Sequence, residues 1–155
     1  MYDTYRTRVL IDNNLYDTYR KRVLIDFTFQ QLEVLSHPSI ACFVSHCGWN
    51  SVQESITMGV AMICSPYFTD QFLNRTYIVD VWKIGLPLET NKDGVIEKGE
   101  ITKAVDRMLV REDGAEIRKQ VTKLMRNSSD TVKEGGSSFN NYSILLHQMK
   151  KHLAD

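Results

Sequence analysis

Residues 46–51 read HCGWNS and directly follow the apolar run IACFVS at 40–45. A histidine, a glycine and two small polar side chains thus cluster where the chain leaves one element for the next. That set suits an anion. A strand that passes through a glycine-containing loop into a helix N-terminus gathers unpaired backbone N–H groups, and the helix dipole adds a positive field. Gly48 lets the backbone approach a ligand closely. Asn50 and Ser51 offer polar groups, and His46 stands at the carboxyl end of the strand, where open α/β sheets place ligands. A phosphate or diphosphate fits this chemistry. A plainer reading also exists. Residues 51–54, SVQE, spell a capping box with Ser51 as N-cap and Glu54 reaching back. Asp70 then reads as the cap of the next helix, and His46 simply hydrogen-bonds within its loop.

These residues need elements to hold them, and the hydrophobic pattern supplies candidates. Leu32, Val34 and Leu35 suit a short helical turn that stops before Pro38. The unbroken apolar run at 40–45 is the signature of a strand buried on both faces. A helix from Asn50 or Ser51 to Met58 follows, closed by Gly59, and a second buried strand is expected over 60–65. A helix from Asp70 to about Lys83 would turn Phe72, Ile78, Val79 and Trp82 inward. A short strand over 84–86 and a turn over 90–94 come next. Helices over 100–110 and 115–125 then place Ile101, Val105, Met108, Leu109, Ile117, Val121, Leu124 and Met125 at helical spacing. A GGSS break at 135–138 precedes a last helix carrying Phe139, Tyr142, Leu145, Leu146, Met149 and Leu153. Alternating strand and helix followed by helices indicates an α/β fold with parallel strands covered by helices.

Composition narrows the classes. The chain has 155 residues, 43% hydrophobic and 25% charged, an ordinary globular balance that argues against disorder or a disulfide scaffold. Nineteen basic residues balance nineteen acidic ones, so a nucleic-acid partner is not expected. No apolar run approaches the roughly 20 residues of a membrane span. The first residues carry no signal-like apolar region, and a cytoplasmic location is expected. Cys42, Cys47 and Cys64 suit reduced, buried thiols. Cys42, Cys47, His37 and His46 fail the usual zinc spacings, so no metal site is expected. The N-terminal part, residues 1–29, reads as an extension with a near-duplicate: 2–12 is YDTYRTRVLID and 16–26 is YDTYRKRVLID, differing only at Thr7 and Lys21. Either a helix with tyrosines on one face or two short RVLI strands would account for it.

Residues 31–71, QLEVLSHPSIACFVSHCGWNSVQESITMGVAMICSPYFTDQ, resemble without a gap the donor-sugar signature of the plant UDP-dependent glycosyltransferases. The segments WKIGL and KEGGSSFNN also resemble that family, so the likeness spans about residues 30–153. It implies a partial Rossmann-like C-terminal domain of a GT-B glycosyltransferase over 30–155, with UDP-glucose as co-substrate, no other cofactor and no metal. His46, Gly48 and the helix start at Asn50 and Ser51 would hold the diphosphate, Glu54 the ribose hydroxyls, and Asp70 and Gln71 the sugar hydroxyls. Trp49 would pack beside the sugar, and Gln31 opens the signature. The implied reaction is inverting transfer of glucose to a hydroxyl of a small-molecule acceptor. The family's catalytic histidine belongs to a first domain that nothing in this sequence matches, so no catalytic base is assigned. The alternative is a non-catalytic nucleotide-sugar binder, or an interaction partner of a full-length relative. The family's Trp-Ala-Pro-Gln opening is replaced by Thr28, Phe29 and Gln30 before Gln31, with Phe27 and Phe29 the nearby aromatic rings. Ala61 replaces a usual proline.

Overall fold

The computed structural model describes residues 8–11 and 31–152. Four parallel strands form one sheet in the order β1 (Arg8–Ile11), β2 (Ile40–Ser45), β3 (Ala61–Cys64) and β4 (Gly85–Pro87). The expected α/β architecture of parallel strands with helical connections is therefore present. β2 and β3 are its centre: every residue of β3 and all but the first of β2 are buried. Apart from Ser45 their runs are apolar, because a parallel strand flanked by packed elements has no solvent face. β1 comes from the first copy of the duplicated segment and lies beside β2, so that copy provides one of the two strands foreseen. The second copy, Phe27, Phe29 and Leu153 lie outside the described residues.

The connections follow the sequence closely. Helix α1 (Gln31–Leu35) buries Leu35 and ends ahead of Pro38. Helix α2 (Trp49–Met58) links β2 to β3 and stops at Gly59, whose φ of 66° is the left-handed conformation that closes helices. Its N-cap is Gly48, with no side-chain cap, so the capping box expected at Ser51 and Glu54 does not form. Ser51 is the third residue of the helix, within its first turn, buried, and accepts from Nε2 of Gln31 at 3.3 Å. Burial against α1 thus replaces the capping geometry that its sequence context suggests.

Helix α3 (Gln71–Thr76) continues as a π-helical turn over Tyr77–Val81 before β4. Ile78 is buried, with Val79 and Trp82 packed against the core. Phe72 is not inward; it is 55% exposed. Its expected place is taken by Gln71 and Asn74, which are buried on the first turns of α3. Asp70 stands at the N-cap position but makes no capping bond, a second departure from the plain reading.

Helices α4 (Lys98–Val110) and α5 (Glu112–Val132) pack on each other and on the sheet, with Met108 and Val121 fully enclosed. The two were expected at 100–110 and 115–125; α5 runs longer in both directions. Helix α6 (Ser137–His152) follows the predicted break and buries none of its residues, leaving Phe139, Tyr142, Leu145, Leu146 and Met149 exposed. No helix of the described residues is long and apolar enough to cross a membrane.

Gly59 sets the entry to β3, and a Cβ there would lie 2.8 Å from Sδ of Met125 while φ stays positive. Gly59→Ala should cost about 1–2 kcal/mol for a side chain in the left-handed region and lower the melting temperature by about 2–8 °C. Thermal unfolding followed by circular dichroism checks this; an unchanged midpoint contradicts it.

Candidate functional site

The site lies at the carboxyl ends of β2 and β3. Both strands run the same way, in a register that pairs Ser45 with Cys64, so the two following loops leave side by side. The N–H of Ser65 donates to the Ser45 carbonyl at 2.8 Å, extending the ladder to the mouths of the loops. One loop carries His46, Cys47 and Gly48 into α2. The other carries residues 66–70 into α3.

In the first loop the backbone of Cys47 adopts φ 67°, a left-handed conformation uncommon away from glycine. Its N–H is held by Oγ of Ser45 at 3.1 Å. The His46 ring lies over the α-carbon of Gly48: a Cβ added at Gly48 would stand 2.3 Å from the ring's Nε2. Glycine at 48 therefore makes room for the imidazole where it stands, and its own φ of −61° is open to any residue. The ring is also 6.2 Å from that of Tyr67, tilted by 41°. The first-turn N–H groups of α2, on Trp49, Asn50 and Ser51, have no intrahelical acceptors, and no side chain caps them. An uncapped helix start beside an imidazole is an anion site in chemical terms.

In the second loop Gln71 is turned inward. Its Oε1 accepts from the N–H groups of Tyr67 at 3.0 Å and Phe68 at 2.9 Å, so its carbonyl shapes the loop and its NH₂ is the end left to serve as a donor. Asp70 is exposed; one carboxylate oxygen accepts from Oγ1 of Thr69 at 3.0 Å and the other from Nδ2 of Asn74 at 3.0 Å. An ionised carboxylate has about four acceptor positions, so Asp70 keeps acceptors for hydroxyl donors. Asp70 thus offers an acceptor and Gln71 a donor at the start of one helix.

The structure thus places His46, Gly48, Trp49, Asn50 and Ser51 around one loop and helix start, and Asp70 and Gln71 on the neighbouring loop. Trp49 is 49% exposed and Glu54 half-buried one turn further along α2. Gln31 stands against Ser51. Sequence reasoning missed Asn74, which donates to the Cys47 carbonyl at 2.9 Å as well as to Asp70. The signal was its position three residues after Gln71, on the same helix face.

The three thiols are buried and free. Burial pushes Cys42 up to about 12. A hydrogen bond with the Cys47 thiol, followed by burial, raises Cys64 well above the ordinary thiol range. Protonated, enclosed thiols are poor nucleophiles. Among the described residues no group of three or more His, Cys, Asp or Glu side chains is arranged to hold a metal ion.

The sequence model of the UDP-glucoronosyl and UDP-glucosyl transferase family matches residues 12–132. Flavonol 3-O-glucosyltransferase F3GT2 of Actinidia chinensis var. chinensis is 45% identical over 120 residues, covering 77% of this chain and 26% of that protein. UDP-glycosyltransferase 75C1 of Solanum lycopersicum is 46% identical over 122 residues, 78% of this chain and 26% of that protein. The chain therefore spans about a quarter of the length of the curated relatives it matches. Among solved structures, Os79 from O. sativa in complex with UDP and deoxynivalenol-3-glucoside is similar at TM-score 0.78 and 32% identity, over 82% of this chain and 29% of that one. Phytolacca americana UGT2 complexed with UDP-2fluoro-glucose and pterostilbene is similar at TM-score 0.78 and 29% identity, over 81% and 29%. These likenesses extend the family match from sequence to the GT-B fold.

Since the His46 ring occupies the space of a Cβ at 48, Gly48→Ala should displace it. The ring resonances of His46 in a ¹H–¹³C spectrum should move while the fold stays intact; unmoved resonances would refute the packing described.

Proposed function

The chain belongs to the UDP-glucoronosyl and UDP-glucosyl transferase family, and from that premise we propose that it forms the donor-binding part of a UDP-glucosyltransferase acting on small-molecule hydroxyls. The observation that carries the proposal is the pairing of two loops at the carboxyl ends of β2 and β3. One offers an uncapped helix start with an imidazole, the other a carboxylate and an amide donor. A nucleoside diphosphate sugar has the same two parts in the same order, an anionic diphosphate and a ring of hydroxyls.

In this reading His46 and the N–H groups of Trp49, Asn50 and Ser51 receive the diphosphate, with Gly48 leaving room for the ring. Gln31 steadies Ser51 at the helix start. Glu54, further along α2, accepts from the ribose hydroxyls. Asp70 accepts from one sugar hydroxyl and Gln71 donates to its neighbour, with Trp49 beside the ring. The resemblance to the family, whose signature ends in glutamine as this one does at Gln71, supports glucose as the hexose.

The reaction is an in-line displacement. The acceptor oxygen attacks the anomeric carbon opposite the diphosphate, its proton passing to a general base. The bond from anomeric carbon to diphosphate oxygen breaks, and UDP leaves with the electron pair. The developing negative charge falls on the helix start and His46, fixed dipoles that need little reorganisation. No residue of the two loops is assigned the role of base. The 155 residues supply donor binding, and acceptor activation comes from outside them.

Calorimetry tests the proposal. The chain should bind UDP and UDP-glucose, and His46→Ala should weaken UDP about tenfold or more, as for loss of a hydrogen bond to a charged group. Unchanged affinity in that variant would remove the diphosphate role. With UDP-glucose and a flavonol, the chain alone should give no glucoside, and turnover would overturn the division of labour.

A further inference from the structure

We infer that Asn74 is a positioning residue that locks the two loops of the site into one arrangement, so that diphosphate and sugar are held in fixed relation. The inference rests on the reading of the two loops as a UDP-sugar site and adds to it a residue outside the sequence signature.

Asn74 lies in the second turn of α3 and is 8% exposed. Its Nδ2 has two hydrogens, and both are engaged. One goes to the carbonyl of Cys47 at 2.9 Å, the other to Oδ2 of Asp70 at 3.0 Å. The first partner belongs to the loop after β2, the second to the loop after β3. A single planar amide thus bridges segments 27 residues apart on one side and 4 on the other.

Backbone strain lies at both ends of this bridge. Among the described residues only Cys47, Thr69 and Lys83 combine a side chain with a positive φ; the first two, at 67° and 39°, are one in each loop. Such conformations persist only where surroundings enforce them. Cys47 is held through its N–H by Ser45 and through its carbonyl by Asn74. That carbonyl shares a peptide plane with the N–H of Gly48, so Asn74 sets the direction in which the loop enters α2. Thr69 precedes Asp70 and donates to its other carboxylate oxygen. The carboxylate is thereby gripped from both sides, with its remaining lone pairs aimed by that grip.

The residue type is specific. Aspartate would set a second carboxylate against Asp70 and an acceptor against the Cys47 carbonyl. Serine has one hydrogen where two are used, on an oxygen one atom short of the amide nitrogen. Glutamine would carry the amide a methylene too far.

The test compares Asn74→Ala, Asn74→Asp, Asp70→Ala and the double variant Asp70→Ala/Asn74→Ala in the full 155-residue chain. Without ligand, ¹³C resonances of the Cys47 carbonyl and the Asp70 carboxyl should both move in Asn74→Ala. In Asn74→Asp, which keeps the side chain's shape and loses both donors, both should move as well, which keeps the test decisive if the alanine variant folds poorly. In calorimetry Asn74→Ala should weaken UDP-glucose about tenfold and UDP by less. In the Asp70→Ala background the same change should add little, the non-additivity expected of residues acting through one another. Unmoved resonances, or a loss that adds in full to that of Asp70→Ala, would overturn the inference. If the wild-type chain binds neither nucleotide, the reading of the site fails, while the paired resonances still decide whether Asn74 joins the loops.

Discussion

The parallel ladder between β2 and β3 is the constraint on which the rest depends. Parallel pairing makes both strands end at the same edge, and a single register then decides which residues leave the sheet together. Ser45 opposite Cys64, reinforced by the bond from Ser65 to Ser45, brings the His46 loop and the Asp70 loop out as neighbours. A slip of one residue would turn every side chain of a strand to the opposite face. The enclosed core residues Phe43, Val44, Met62 and Ile63 oppose any such slip. Strands of this kind are hydrophobic because packing fixes them, and that fixed position is what the polar loops beyond them require.

The elements legible in the sequence were those whose pattern has a single physical cause. The run at 40–45 reads as a buried strand because its first five residues are apolar without a break, and it is one. Gly59 ends α2 because a left-handed residue closes a helix with least strain when it has no side chain. The elements misread were those where two causes compete. Ser51 has the sequence context of a cap, yet it is buried beside Gln31, and the helix begins at Trp49. Phe72 looked inward because it is aromatic and Gln71 is not. The inner face of α3 must instead satisfy loop N–H and carbonyl groups, and only polar side chains do that. Gln71 and Asn74 therefore take the inner positions and Phe72 faces outward.

The same competition explains how the candidate site was and was not foreseen. His46, Gly48, Asn50 and Ser51 were visible as a loop-to-helix anion pattern, while Asp70 and Gln71 gained a functional role only through the family resemblance. The role of Gly48 lay in a contact with His46 that spacing does not reveal. Asn74 lies past the contiguous signature that ends at Gln71, and its spacing from Gln71 marks a helix face without revealing its two partners, which only the fold brings together. The apolar face of α6 followed its predicted helical spacing without becoming core, because helical periodicity sorts residues by face and says nothing of what covers that face.

The central claim is that two loops side by side read two parts of one ligand. Its most direct test is a ¹⁵N amide titration of the chain, first with UDP and then with UDP-glucose. UDP should shift the amides of Gly48, Trp49, Asn50 and Ser51, and UDP-glucose should add shifts at Asp70 and Gln71. Shifts centred on α4 and α5, or none at either loop, would contradict it.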